Sequence, residues 1–361
     1  MLKNKVLVLI DQMETGGAGR VTSTLLPGLL EKGYEIVLAL DNVNAKNFYP
    51  VPKVVRQIFI PIKGSIPAGF KQIKLILSTK EIIKREKPDV VIAVTFFPFF
   101  YAHFASMGMH IPVIAYDHTS FGRDMGRFIN YIRYNLYGKA DKLVILTQKD
   151  ERLLGHKFPN KVVVYNPLTY PVVKHSKKRR KTVLCAGRLD SWDVKGFDRM
   201  IEIWSRIAPK HPDWKLQIAG SGASQKVKEI ESMIAQSGVE GQIELLGQIQ
   251  DMPSLYSVTS IFALPSRVEG FPMVLLEAMS QGCVCCSFNM GGAVNEMMSN
   301  SSGAIIKDND LELFENELEV LINQYPNYDI LQESGYQDAS RFTCDAFYNQ
   351  WDNIIKEVII Q

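Results

Sequence analysis

Short apolar runs alternate with helical patterns along nearly the whole chain. One series predicts strands at residues 6–10, 36–40, 90–94, 113–116, 143–146 and 162–165. A second series predicts strands at residues 182–186, 216–219, 243–246, 261–264, 284–287 and 304–306. When a helix connects two successive strands, the strands usually pair in parallel. A parallel sheet is buried on both faces. The alternation therefore predicts an α/β fold with doubly wound parallel sheets.

The length of the chain predicts two such domains. At 361 residues it exceeds the size at which a single core usually stops growing. Apolar residues at helical spacing near the end predict a terminal helix, and the basic run 174–181 contains six lysines and arginines. The expected segments are an N-terminal domain at 1–166, a linker at 167–181, a C-terminal domain at 182–340 and a terminal helix at 341–361.

The positive charge lies in the first half of the chain. Residues 1–170 contain 23 lysines and arginines against 13 acidic residues, a net charge of +10, while residues 171–361 contain 18 against 25, a net charge of −7. The positive charge of the first half favours an anionic partner, and both a membrane surface and nucleic acid are anionic. Lysines and apolar residues alternate on the predicted helix at 71–87, so we expect contact with an anionic membrane rather than nucleic acid. A solvated helix is the alternative.

Residues 90–109 contain no charged side chain, which meets the length criterion for a membrane span. Because Pro98 interrupts this run, we expect a sheet strand followed by an aromatic segment rather than a membrane span. The five cysteines show no disulfide framework, and no signal peptide precedes the first strand. We therefore expect a cytoplasmic protein that associates peripherally with the membrane. Cys285 and Cys286 point to opposite faces of a strand, which argues against a metal site.

The segment 264–282, LPSRVEGFPMVLLEAMSQG, combines a turn with the start of a helix. Gly270 and Pro272 suit these positions, which places Glu269 in the loop and Glu277 about two turns into the helix. Unpaired amides at a helix start bind anions such as a sugar phosphate or a diphosphate. A plain turn before an apolar helix, with Glu277 solvated, gives the same pattern.

The order of residues in this segment resembles a known family. Seven residues separate Glu269 from Glu277, within the sequences Glu-Gly-Phe-Pro and Glu-Ala-Met. This spacing resembles the E-x-seven-E motif of retaining glycosyltransferases of family 4, which have the GT-B fold. The resemblance implies two Rossmann-like domains facing a central cleft, with the terminal helix crossing back onto the N-terminal domain. The N-terminal domain, with its aromatic segment 96–101, is then on the acceptor side, and the C-terminal domain binds the nucleotide-sugar donor. The resemblance also implies a nucleotide-sugar donor, for which we expect a UDP-sugar.

The glycine-rich segment TGGAGR follows the first predicted strand and precedes a helix predicted to begin near Val21. Glycines allow a backbone to approach phosphate closely, but the third glycine of the dinucleotide fingerprint is missing. Asp41, at the end of the second predicted strand, keeps a dinucleotide site open, and a plain tight turn is a further alternative. By resemblance to family 4, Gly16, Gly17 and Arg20 approach the donor.

Loops after other strands contain candidate catalytic residues. His118 follows the strand that ends at Tyr116 and can donate a hydrogen bond to a sugar hydroxyl, while Asp117 is a candidate for holding the loop. Arg188 and Lys195 resemble the cationic clamp of family 4, which stabilises the charge that develops on a departing diphosphate. Cations on a solvated loop are the alternative.

The resemblance implies roles for the remaining donor-site residues. Glu269 orients the donor sugar, and Glu277 accepts hydrogen bonds from the ribose. The other expected donor-binding residues are Gly187, Gly220, Ser221, Ile249, Gly270, Phe271, Met273 and Val274. Gly291-Gly292 and Glu296 resemble the end of the family pattern, but Asn289 replaces an acidic residue, so its role stays undecided.

These residues predict a retaining hexosyl- or N-acetylhexosaminyltransferase. Its expected acceptor is a glycan or a lipid-linked saccharide in bacterial cell-surface polysaccharide or glycoconjugate biosynthesis. No Asp-x-Asp motif falls in a suitable loop, so we expect Arg188, Lys195 and helix ends to balance phosphate charge without a metal ion. A nucleotide-sugar epimerase of similar architecture and a non-catalytic sugar-binding protein are the alternatives, and a dehydrogenase fits the sequence least.

Overall fold

The computed structural model describes residues 4–13, 16–40, 49–60, 68–174 and 178–360. Thr15 and Asp41, which entered the prediction of a glycine-rich nucleotide loop, lie outside the described residues. The chain divides into two compact units, one formed by residues 1–167 with 342–361 and the other by residues 168–341. Each unit is built around a parallel sheet.

The first unit contains a seven-stranded sheet within its described residues. The strands are β1 Lys5–Ile10, β2 Glu35–Leu40, β3 Arg56–Phe59, β4 Val90–Val94, β5 Val113–Tyr116, β6 Lys142–Ile145 and β7 Lys161–Val163, in the spatial order β3-β2-β1-β4-β5-β6-β7. The strands predicted in this unit are present, with small shifts at their ends. β3 was not predicted because it is a short edge strand with half-exposed side chains and no apolar run.

Helices connect these strands on both faces of the sheet. They are α1 Gly17–Glu31, α2 Ala68–Glu86, α3 Phe96–Ser106, α4 Arg127–Tyr131, which a π-helical turn at Ile132–Leu136 continues, and α5 Gln148–Leu154. The uncharged run 90–109 contains β4 and α3, which agrees with the predicted strand. No helix in the described part of the chain is long and apolar enough to cross a membrane.

The second unit contains a six-stranded sheet, and its predicted strands are all present. They are β8 Arg180–Ala186, β9 Lys215–Ala219, β10 Ile243–Gly247, β11 Thr259–Leu264, β12 Val284–Phe288 and β13 Gly303–Ile306, in the order β10-β9-β8-β11-β12-β13. The helices are α6 Trp192–Lys195, α7 Phe197–Ile207, α8 Ser224–Gln236, α9 Met252–Val258, α10 Met273–Ser280, α11 Leu311–Gln324 and α12 Asp329–Ser340. The apolar residues at helical spacing in α7 are buried, namely Phe197, Met200, Ile201, Trp204 and Ile207.

The terminal helix, α13, spans Cys344–Ile360 and packs on α1. Gly28 of α1 permits this contact, because a Cβ atom there would lie 2.1 Å from the Tyr348 ring. Tyr34 donates a hydrogen bond to Asp352 at 2.7 Å, and the buried Trp351 ring lies 4.8 Å from that of Tyr116. An apolar face and a few polar contacts thus attach the end of the chain to the first unit.

The basic run 174–181 contains a buried residue. Arg179 is 8% exposed and donates hydrogen bonds to the carbonyls of Tyr256, Thr259 and Gln281 at 2.9, 2.6 and 2.6 Å. Arg180, next along the chain, already begins β8. Part of the segment that we expected to be a linker therefore belongs to the structure of the second unit.

The neighbouring cysteines of the second unit are buried thiols. Burial raises the pKa of Cys283 to about 12 and raises the pKa values of Cys285 and Cys286 well above their ordinary range. These side chains therefore remain protonated at neutral pH. Across the described ranges, no group of three His, Cys, Asp or Glu side chains has an arrangement that would hold a metal ion.

Candidate active site

The second sheet has a turning point between β8 and β11. From β8 the chain adds β9 and β10 on one side, and it then places β11, β12 and β13 on the other. In open parallel sheets, ligands bind at such a point, beyond the carboxyl ends of the strands. The loop after β8 contains Gly187 and Arg188, and the loop after β11 contains Ser266 and Glu269.

Two predicted catalytic residues are in contact at this turning point. Lys195 Nζ donates a hydrogen bond to Glu269 Oε1 at 2.8 Å, and Ser266 Oγ donates to the same oxygen at 2.8 Å. The Lys195 and Glu269 side chains are 24% and 12% exposed, so water reaches the pair only in part. The fold thus joins the residue expected to bind diphosphate to the residue expected to orient the sugar.

Close packing of two glycines supports this pair. The methylenes of Lys195 cross Gly187, where a Cβ atom would lie 3.2–3.3 Å from them. Gly220, after β9, has φ +157°, and a Cβ atom there would lie 1.8 Å from the Gly187 carbonyl oxygen. The Leu189 amide also donates to the Ser221 carbonyl at 2.9 Å. The loops after β8 and β9 therefore form one packed unit beneath Lys195.

Arg188, the other predicted cation of the clamp, is exposed. Its carbonyl accepts a hydrogen bond from the Ser191 amide at 3.3 Å, which closes a 3-10 turn after β8. Within the described part of the chain its guanidinium has no ion pair or hydrogen bond. Arg188 is therefore a cation on a fixed turn that is available to a ligand, whereas Lys195 is already paired.

Glu277 lies less deep in its helix than predicted, and the alternative of a solvated side chain is wrong. Because the turn before Met273 is not helical, Glu277 lies just over one turn into α10 rather than about two. Its side chain is completely buried, which rules out a solvated residue, and Thr169 Oγ1 donates to Glu277 Oε1 at 3.2 Å. A ribose hydroxyl can reach this carboxylate only if the covering side chains move.

The start of α10 offers fewer amides than predicted. The Met273 amide donates to the Phe271 carbonyl at 2.9 Å, and the Leu275 amide donates to the Pro272 carbonyl at 3.0 Å. The tight turn therefore already engages the Met273 amide that we predicted for phosphate. Val274, the next residue, stays a predicted contact of the sugar donor. The half-buried Gly270 and the buried Phe271 do so as well.

Two further predicted positions lie in loops of the same unit. Ile249 is half-buried after β10, and the amide of Gly220 donates to the carbonyl of Gly247 at 2.8 Å, which joins the ends of β9 and β10. Asn289 follows β12, and its side-chain oxygen is buried without a partner among the described residues. Asp308 accepts the amides that follow Asn289 in the chain, at 2.5 and 2.7 Å, and so supplies a carboxylate to this turn.

The first sheet has a corresponding turning point between β1 and β4. α1 begins at Gly17, so Gly17 and Arg20 lie in the first helical turn and not in a loop before Val21 as predicted. Gly16 caps the helix with φ +146°, a conformation that favours glycine, and its amide donates to the Tyr49 hydroxyl at 3.4 Å. The Arg20 guanidinium lies 5.5 Å from the same ring. A helix start of this kind favours anions.

His118 follows β5 and lies against Tyr116, with the ring centroids 4.1 Å apart. The residue as a whole is partly exposed, but the Nε2 atom of its ring is buried and has no hydrogen-bond partner within the described residues. Burial lowers the pKa of His118 to about 3. The imidazole is therefore neutral at physiological pH, which suits a hydrogen bond with a sugar hydroxyl.

Two family models match consecutive parts of this chain. The model described as Glycosyltransferase Family 4 matches residues 15–168, and the model described as Glycosyl transferases group 1 matches residues 169–338. Together they span most of both units. The chain belongs to glycosyltransferase family 4.

The similarity of known proteins to this family 4 glycosyltransferase extends over nearly the whole chain. An uncharacterised glycosyltransferase of Haemophilus influenzae is 27% identical over 94% of this chain and 96% of its own length. A Campylobacter jejuni protein is 24% identical over 98% and 99%; its name is GalNAc-α-(1→4)-GalNAc-α-(1→3)-diNAcBac-PP-undecaprenol α-1,4-N-acetyl-D-galactosaminyltransferase. The crystal structure of Anabaena HepE with UDP has a TM-score of 0.77 at 18% identity, over 98% of this chain and 100% of that chain. This likeness confirms the predicted GT-B fold.

Arg267, which no local sequence signal indicated, fixes the loop that contains Glu269 in this family 4 enzyme. The Arg267 guanidinium donates to both carboxylate oxygens of Asp198, at 2.8 and 2.6 Å. Its amide donates to the Val194 carbonyl at 2.8 Å, next to Lys195. Arg267 therefore holds the two halves of the Lys195–Glu269 pair in register, but its partner is 69 residues away in the sequence.

A buried ion pair, also missed in part, shapes the loop of His118. Arg133 Nε donates to Asp117 Oδ2 at 2.7 Å, and both side chains are fully buried. Arg133 also donates to the Thr119 carbonyl at 2.6 Å, and the Thr119 amide donates to Asp117 at 3.0 Å. Burial raises the pKa of Asp117, which Arg133 and the Thr119 amide partly offset. Asp117 thus holds this loop of the enzyme, through a residue on the π-helical turn.

Thr95 is a strained residue at the turning point of the first sheet. Its φ of +75° and ψ of 175° fall in a region that is usual only for glycine. Its hydroxyl donates to Asp11 Oδ2 at 3.2 Å, and the two residues follow β4 and β1. Strain of this kind concentrates at ligand sites. Thr95 and Asp11 therefore join the acceptor-side candidates, although the sequence alone contained no signal for them.

Proposed function

We propose that this family 4 glycosyltransferase is a retaining enzyme that uses a UDP-sugar as donor. It transfers a hexosyl or N-acetylhexosaminyl unit to a glycan or lipid-linked saccharide, in the synthesis of a bacterial cell-surface polysaccharide or glycoconjugate. The observation that carries the proposal is the contact of Lys195 with Glu269 at the turning point of the second sheet, beside the exposed Arg188.

The cations account for stabilisation of the leaving group. As the glycosidic bond breaks, the nucleoside diphosphate gains negative charge, and fixed cations stabilise this state more than the ground state. Two unit charges near a protein surface interact by about 4 kcal/mol at 4 Å. Arg188, Lys195 and the start of α10 thereby balance the phosphate charge, and the proposal requires no resident metal ion.

The chemistry also requires no nucleophile from the protein. The acceptor hydroxyl oxygen bonds to the anomeric carbon as the bond from that carbon to the diphosphate oxygen breaks, and the hydroxyl proton passes to the departing diphosphate. Both events take place on one face of the sugar, which retains the anomeric configuration. Glu269 orients the donor sugar, and the neutral His118 contributes a hydrogen bond to a sugar hydroxyl.

The comparisons support the choice of donor and acceptor. HepE, which shares the fold, is known as a complex with UDP. The name of the Campylobacter jejuni relative specifies an undecaprenol-linked saccharide. These relatives, together with the E-x-seven-E spacing of Glu269 and Glu277, favour a UDP-sugar and a lipid-linked acceptor.

A donor panel tests the assignment. The full chain is incubated with UDP-, GDP- and ADP-sugars, with and without undecaprenyl-diphosphate-linked saccharides, and liberated nucleotide is measured. We expect release that depends on a UDP-sugar and an acceptor and that persists in EDTA. NMR of the product then gives the anomeric configuration. Release from another nucleotide, an inverted anomer or loss of activity in EDTA would each refute the corresponding part of the proposal.

We also propose that α2 associates peripherally with the anionic inner face of the membrane. Phe70, Ile73 and Leu77 lie along one stripe of this helix and are 68%, 56% and 56% exposed. Lys71 and Lys74 alternate with them. An exposed apolar stripe bordered by lysines suits the interface of a bilayer with anionic lipids.

Vesicle sedimentation tests this association. We expect the enzyme to sediment with vesicles that contain phosphatidylglycerol and to remain in solution with phosphatidylcholine vesicles. Replacing Ile73 and Leu77 by Ser should abolish sedimentation. Ile330→Ser is the matched control, because Ile330 is an exposed apolar residue of the second unit at 81% exposure. Equal sedimentation of the α2 variant and the control would contradict the proposal.

A further inference from the structure

The contact between Lys195 and Glu269 has a consequence for nucleotide binding. Lys195 Nζ donates to Glu269 Oε1 at 2.8 Å, and the pair is mostly shielded from water. A lysine ammonium carries a single compact charge, and a carboxylate at hydrogen-bond distance neutralises part of that charge. The Glu269 carboxylate therefore weakens the attraction of Lys195 for a diphosphate. We infer that Glu269 competes with the nucleotide diphosphate for Lys195.

Ser266 makes the competing arrangement specific. Its hydroxyl donates to the same carboxylate oxygen at 2.8 Å, so Glu269 retains a partner when Lys195 turns to a phosphate. Arg267, the next residue, fixes this loop through Asp198. The geometry thus allows Lys195 to exchange Glu269 for a diphosphate without leaving the Glu269 carboxylate unpartnered in a partly buried site.

This inference rests on the proposed function, because it assumes that a nucleotide diphosphate binds beside Lys195. It adds a second role for Glu269, which is to limit the affinity for the nucleotide product. When the sugar has left, Glu269 recovers Lys195 as the diphosphate departs. The same carboxylate that orients the donor sugar therefore promotes product release.

Calorimetric titration with UDP tests the competition without any turnover. Glu269→Gln keeps the size and the Ser266 contact but removes the charge that holds Lys195. We expect UDP to bind roughly tenfold more tightly to this variant, as removal of a charge-assisted contact implies. Glu319→Gln is the matched control, because Glu319 also pairs with a lysine at 2.8 Å, Lys210, in the same unit but outside the site. Its UDP affinity should equal that of the unchanged protein.

A double variant separates competition from simple repulsion. In a protein with Lys195→Met, Glu269→Gln should no longer tighten UDP binding, because the contested cation is absent. An equal gain with and without Lys195 would show that Glu269 repels the diphosphate directly and would overturn the inference. Unchanged or weaker binding in Glu269→Gln alone would overturn it as well. Failure of the unchanged protein to bind UDP, GDP or ADP would instead refute the proposed donor class, and the competition with it.

Discussion

Each unit has a charged pair whose carboxylate lies in a loop after a strand, Asp117 after β5 and Glu269 after β11, but the two pairs differ in burial. In the first unit, Asp117 and Arg133 are fully buried and their hydrogen bonds go to the protein itself. In the second unit, Lys195 and Glu269 remain partly exposed and have fewer partners. A fully enclosed pair cannot exchange its partner for a ligand, whereas a partly exposed pair can. The first pair therefore has a structural role, whereas we propose a ligand-binding role for the second.

The largest expected effect concerns the buried pair. Arg133→Met leaves the Asp117 carboxylate buried without its cation, which should lower the free energy of unfolding by about 3–5 kcal/mol. Urea unfolding monitored by circular dichroism measures the change. Lys210→Met, which removes a cation from an exposed pair, is the control and should leave the unfolding midpoint unchanged. Equal stability of the two variants would remove the contrast between the units.

The next effect concerns catalysis. Lys195→Met should reduce the turnover number by roughly 10²–10³-fold, since loss of one group that stabilises a developing anion has this magnitude. The unfolding midpoint should stay close to that of the unchanged enzyme, because the pair is partly exposed. Rates of nucleotide release and a urea titration check both expectations. Normal turnover in this variant would contradict a role of Lys195 at the diphosphate.

A third prediction concerns pH. The folded-state pKa of His118 is about 3, below the ordinary value of about 6.5, so between these values the unfolded chain binds a proton that the folded chain does not. Stability should therefore fall as pH decreases from 6.5 towards 3, by at most about 1.4 kcal/mol per pH unit from this residue. His118→Gln should flatten this dependence in urea titrations. His118 should not contribute an ionisation near pH 6.5 to the pH–rate profile, so the profiles of the unchanged enzyme and of the variant should have the same shape in this range.

The smallest effect concerns the glycine on which Lys195 of the partly exposed pair packs. Gly187→Ala places a methyl group 3.2–3.3 Å from the Lys195 methylenes, so the lysine must move by a few tenths of an ångström. We expect a roughly threefold to tenfold decrease in turnover, because small displacements of catalytic groups reduce rates. A control glycine must tolerate a side chain, which excludes Gly238 because its φ of +74° makes the alanine substitution strained. Gly241, which has open space around its Cβ position, provides the control.

The sequence determined the class of fold because its signals are local. Continuous apolar runs predicted the strands of both sheets, and apolar residues at helical spacing predicted the terminal helix. Where the local signal was weak, the prediction failed. β3 was missed because an edge strand is half exposed, and the start of α1 was placed too late because glycines do not indicate a helix. The burial of Arg179 was not predicted either, because a run of lysines and arginines usually indicates a solvated segment.

The sequence also indicated which residue types would form the donor site, through the spacing of Glu269 and Glu277 and through cations after β8. Only the tertiary structure decided how these residues are paired. It joined Lys195 to Glu269 across 74 positions, enclosed Glu277 beneath Thr169, and enclosed Asp117 with Arg133. The physical reason is that strand and helix patterns depend on neighbours in the chain, whereas burial and charge pairing depend on groups that only the folded sheets bring together.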